Sequence, residues 1–164
     1  MKPLLLIAAL LLSNAAHAAD HPLITQLLAR DKAPPGVVFE IVTGDSTGLE
    51  WAVPQVADYA QRLRARFPKL EIAVVSHGQE MFALQTSRRA DSPDVHAGIE
   101  QLVKQQHIPV HVCETYAGWR GIGPDAFPAY VNVAPAGPTQ VKLYMELGYV
   151  LIKISSASNG NPVP

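Results

Sequence analysis

The feature that most constrains this chain is an alternation of two hydrophobic periods. Short apolar runs fall at residues 37–42, 71–76, 108–113, 130–133 and 149–154. Their near-continuous apolar character suits strands covered on both faces. Between them, apolar residues recur every three or four positions. Val56, Ala60, Leu63 and Phe67 fall on one helix face, as do Ile99, Leu102 and Val103, and then Val141, Tyr144 and Met145. Strands alternating with helices predict a parallel sheet held between helical layers. The expected fold is α/β: a three-layer α/β/α sandwich with a mostly parallel five-stranded sheet, spanning residues 37–154.

Local signals punctuate this pattern. Gly44 to Gly48 reads as a turn into a helix, since it lacks the Lys-Ser/Thr pair of a Walker phosphate loop and Asp45 would repel a phosphate. Pro54 suits the first turn of the second helix, and Pro68 marks its end. Ser92-Pro93-Asp94 reads as a helix start with a capping hydroxyl, and Gly148 as a C-terminal cap. Residues 79–91 stay ambiguous, a short apolar group (Met81, Phe82, Leu84) followed by polar residues.

The two ends differ in kind from the body. Lys2, an apolar stretch at 4–12 and Ala16-His17-Ala18 make residues 1–18 a signal peptide, which implies a periplasmic or secreted protein. That apolar stretch is too short to cross a bilayer, which takes about 20 residues. Residues 19–36 form an N-terminal helical extension, with Leu23, Ile24, Leu27 and Leu28 on one face and Pro34-Pro35-Gly36 as its stop. It must pack on the main body or on a neighbouring subunit. Residues 155–164 read as a flexible tail. Cleavage takes Lys2 away and leaves 12 basic residues against 14 acidic, no footprint for nucleic acid or an anionic membrane.

Cys113 is the only cysteine, so no internal disulfide can form. It stands at the end of the third strand, before a helical turn. Unpaired N–H groups there favour a thiolate, while the neighbouring Glu114 opposes a second anion. The competing reading is a buried cysteine serving as a small hydrophobe. His111 shares the Cys113 face of the strand, and His77 ends another strand. These three could ligate a metal, but no paired-ligand spacing completes such a site, so no metal is expected. His21, His96 and His107 show no relation to a site, and Ser76 lies in no nucleophile elbow. Arg62, Arg64 and Arg66 read as a solvated helix face. Tyr116 and Trp119 either wall a pocket or seal a subunit contact.

Residues 37–154 resemble the DsrE/DsrF-like family of small sulfur-relay proteins. The resemblance is carried by Val37 through Asp45, by Val74-Val75-Ser76-His77-Gly78, and by an ordered series after residue 108. That series is Val110-His111-Val112-Cys113, Gly121-Ile122, Pro135-Ala136-Gly137 and Gly148-Tyr149. It implies a homo-oligomer, a trimer or hexamer, and a persulfide on Cys113 exchanged with a sulfur donor or acceptor. No cofactor is needed. His77 and Gly78 would shape the site, with His111, Glu114 and Trp119 around it. The segment from Glu114 to Trp119 is bulkier than the family pattern and starts with an acid. Some relatives have no demonstrated activity, so a non-catalytic oligomeric binding or scaffold protein of the same fold is the alternative.

Overall fold

The computed structural model describes residues 21–156; the signal peptide expected at 1–18 and most of the tail lie outside them. Five strands form one sheet: β1 (Gly36–Ile41), β2 (Glu71–Ser76), β3 (Val110–Cys113), β4 (Asn132–Ala134) and β5 (Tyr149–Ile154). Their order is β4-β3-β2-β1-β5, and every pairing is parallel. The sheet is thus wholly rather than mostly parallel. The chain grows outward from β1 through β4, then α5 carries it back so that β5 pairs with the free edge of β1.

The helices are α1 (Pro22–Leu28), α2 (Gly48–Arg66), α3 (Pro93–Lys104), α4 (Glu114–Gly118) and α5 (Gly137–Glu146). The two faces are covered unequally. Val37, Phe39, Ile41, Ile72 and Val74 point into the larger core, which includes buried residues of α1, α2 and α3. Val38, Ala73 and Val75 point the other way, onto Val141 of α5, with Tyr144, Tyr149 and Leu151 alongside. The period of two along each strand forces this split. Ile24 and Leu27 of α1 enter the larger core, so this helix packs on the main body.

Several boundaries differ from the sequence expectation. Helix α2 begins six residues before Pro54, which lies inside it. Asp45 initiates this earlier start by accepting from the Thr47 amide at 2.9 Å and its hydroxyl at 2.8 Å. Residues 79–91 resolve into two 3-10 helices, Gln79–Leu84 and Thr86–Arg88. Ser92 precedes α3 but makes no side-chain capping bond. Met145, expected inward, is exposed, as are Leu143 and Leu147. Val42 falls outside β1 and is also exposed.

The arginine group is not merely a solvated face. Arg64 donates from Nε to the Leu70 carbonyl at 3.3 Å and also binds the Gln106 carbonyl. Arg66 donates to the Arg30 carbonyl at 2.7 Å, holding the end of the N-terminal segment against α2. Arg62 pairs with Asp58 one turn away.

Candidate functional site

The carboxyl ends of β1, β2 and β3 lie side by side, the edge where parallel α/β sheets gather their ligands. The residues singled out by sequence fall into four groups along it. Cys113 ends β3 and caps α4. Its sulfur accepts the Tyr116 amide N–H at 3.4 Å. The residue is only 4% exposed, against the accessibility that a reactive thiol needs. Glu114 is exposed, where solvent and salt screen its charge.

The second group surrounds His77. Its Nε2 donates to Glu40 Oε1 at 2.9 Å, and Lys153 Nζ lies 3.9 Å from the other carboxylate oxygen. This line joins β2, β1 and β5 on the α5 side of the sheet. The hydrogen bond from His77 holds the Glu40 carboxyl below its usual range, aided by the His77 and Lys153 charges and opposed by burial. Gly137 opens α5 directly over His77, where any Cβ would collide with the imidazole.

The third group centres on Glu80, which lies in the stretch 79–91 that the sequence left ambiguous. Its carboxylate is completely buried. Oε1 accepts from Ser76 Oγ at 2.8 Å and from the Gly78 amide at 2.9 Å. Oε2 accepts from the Thr43 amide at 2.7 Å and lies 3.1 Å from the Thr43 hydroxyl. That hydroxyl has one proton and a closer acceptor in the Asp45 carbonyl, at 2.7 Å. Gly78 is required by space: a Cβ would stand 2.6 Å from the Thr43 backbone N and O. The His-Gly turn therefore locks the ends of β1 and β2 together. An acid amid Met81, Phe82 and Leu84 was the available signal.

His111 belongs to a fourth group. It shares a 2.9 Å hydrogen bond with the Tyr144 hydroxyl of α5, and burial pushes its pKa down. Burial likewise pushes the Tyr144 hydroxyl up. His96, unassigned by sequence, is a core residue. Its Nε2 lies 3.0 Å from the Ala83 carbonyl and so donates to it, and its Nδ1 lies 3.2 Å from the Tyr130 hydroxyl.

Trp119 is 77% exposed and meets the Tyr116 ring edge-on. Tyr116 in turn packs on Phe82, and the Arg120 guanidinium lies over both rings. These aromatics form a shoulder beside Cys113 rather than a closed pocket. The histidines are held by Glu40 and Tyr144, and the sulfur by Tyr116. Among the described residues no group of three or more His, Cys, Asp or Glu is placed to hold a metal ion, and no helix is long and apolar enough to cross a membrane.

Fold and edge together define a small parallel α/β domain with a single capped thiol at the end of its third strand. The same fold occurs in MTH1491, a protein of unknown function from Methanobacterium thermoautotrophicum. The match has a TM-score of 0.56 at 21% identity and covers 72% of this chain and 97% of that one. BT1422, a conserved protein of unknown function from Bacteroides thetaiotaomicron, is similar with a TM-score of 0.51 at 15% identity, covering 71% and 94%. No family model and no curated protein matches the sequence.

Proposed function

We propose that the protein is a sulfur carrier of the DsrE/DsrF-like kind, with Cys113 as its reacting atom. The observation that carries this reading is the Tyr116 N–H donated to the Cys113 sulfur at the carboxyl edge of the sheet. That N–H stabilises a thiolate more than a thiol. The thiolate attacks the outer sulfur of a donor persulfide R–S–SH. A new S–S bond forms on Cys113, the old one breaks, and RS⁻ leaves with the electron pair. An acceptor thiolate then takes the outer sulfur from Cys113–S–SH and returns Cys113 to its thiolate. No metal or redox cofactor enters this sequence. With one cysteine in the chain, no second thiol can expel the sulfur as an internal disulfide.

In this reading the Tyr116–Trp119 shoulder must move aside for a donor or acceptor, because Cys113 is covered. The chain works after loss of residues 1–18, outside the cytoplasm. It forms a homotrimer or hexamer, a reading supported by exposed Leu143, Met145 and Leu147 around α5.

Intact mass of the native protein after treatment with polysulfide tests the proposal, beside Cys113→Ala. The expected result is added mass in whole sulfur-atom steps, removed by a thiol reductant and absent from the variant. A native protein that gains no sulfur and resists alkylation would overturn it. The burial of Cys113 favours the second reading in that case, a non-catalytic binding or scaffold protein.

A further inference from the structure

A cavity of about 480 Å³ lies between α2 and α3, a volume within the range of small-molecule sites. Cys113 does not line it. Its wall includes buried Leu49, Val53, Val95 and Leu102. Glu50, Asp91 and Asp94 bring three carboxylates to the end where both helices begin, and no lysine or arginine lines the cavity. Acids in the first turn of a helix are ordinary, since the dipole favours them. Two further features are not explained that way.

Pro54 lines the cavity from inside α2. A proline there has no N–H, so the carbonyl four residues earlier, that of Glu50, loses its helical donor. Ser92 lines the cavity from the start of α3, and its hydroxyl makes no capping bond. Pro93, beside it, also lacks an N–H. This end of the cavity is therefore rich in acceptors: carboxylates, the Glu50 carbonyl and the Ser92 oxygen.

Charge bookkeeping points the same way. Two helix ends contribute about +1 in total. Three carboxylates outweigh that even with Asp91 partly neutralised by Arg88 at 3.7 Å. An ammonium group has three donors and no acceptor, so it complements this end, and an apolar body complements the floor.

We propose that the α2–α3 cavity is a binding site for a small primary amine with an apolar body, its ammonium group held among Glu50, Asp94 and the Glu50 carbonyl. The site is independent of sulfur chemistry at Cys113.

Amide chemical shifts of the intact folded protein, titrated with hexylamine, 1-hexanol and hexanoate near neutral pH, test this. Hexylamine is expected to perturb α2 and α3 around Val53 and Gly98 at concentrations at least about 5-fold below hexanol, with hexanoate weakest. The double variant Glu50→Gln, Asp94→Asn, changed at two exposed positions, should bring hexylamine to the level of hexanol. Gln101→Trp, exposed on α3 and lining the cavity, should abolish both titrations while leaving the spectrum dispersed. Equal binding of amine and alcohol by the native protein would overturn the proposal. So would shifts mapping elsewhere, or a preference for amine surviving in the double variant. Cys113→Ala should titrate as the native protein does, whichever way the persulfide experiment falls.

Discussion

Glu80 receives donors from Thr43, Ser76 and Gly78, so one carboxylate links the chain after β1 to the end of β2 and the turn that follows. A buried group of this kind stabilises only while its donors are matched, because an unmade bond leaves a desolvated polar group behind. Glu80→Gln keeps the shape but turns one acceptor into an NH₂ that must face N–H or O–H donors. We expect it to lower stability by about 2–4 kcal/mol, seen as a lower urea midpoint with an unchanged slope. A change below about 0.5 kcal/mol would show that the edge is held mainly by packing. The sequence placed His77, Gly78 and Cys113 at strand ends but left Glu80 without a role. Spacing locates backbone positions, whereas the convergence of donors on one side chain depends on the turn geometry between them.

Among the described residues, α5 is the one helix packed in the smaller core, and its hold combines apolar and polar contacts. The His111–Tyr144 hydrogen bond ties it to β3, and Gly137 lets its first turn close over His77. The depressed pKa of His111 makes this contact pH-dependent. As pH falls below about 6.5, an unfolded histidine takes up a proton before the folded one does. Stability from this residue is therefore present above that pH and lost as pH falls toward the lower folded value. His21 contributes with the same sign, through burial. Glu40 adds a separate loss at more acidic pH, as its own depressed folded value is reached. Urea midpoints from pH 7.5 to 5 should fall in the native protein and fall less in His111→Gln; parallel curves would show that His111 does not carry the effect. The elements themselves were legible because the strand and helix periods are strong. Where the reading slipped, a local signal had two meanings: Pro54 suits a first turn, yet it lies in an interior turn here, where it borders a cavity. Met145 was placed inward by its spacing, but this short helix over a narrow core buries Gly137 and Val141, half-buries Tyr144 and leaves Met145 outside.

For the molecule as a whole, strand order was not legible, because neither composition nor periodicity says which strand sits beside which. The order β4-β3-β2-β1-β5 puts β5, the last of the described strands, against β1, the first of them. All six residues of β1 pair with β5 over Gly36↔Tyr149 through Ile41↔Ile154. At about 5–20 residues per second, roughly 6–23 s separate the synthesis of the two strands. Through that interval one side of β1, buried in the finished fold except at half-buried Glu40, is an open template, the kind of edge on which unrelated chains pair. A chain ending at Gly148 would make that interval permanent. We expect it to aggregate at concentrations where the full chain stays dispersed, read by light scattering, and a separately added peptide of residues 149–156 should suppress the scattering; a dispersed truncated chain would show that the edge is shielded some other way. The arrangement makes β5 the strand that closes the sheet: a copy stalled or cut before residue 149 keeps one edge of β1 open, so damage at one end of the domain is displayed at a strand laid down more than a hundred residues earlier.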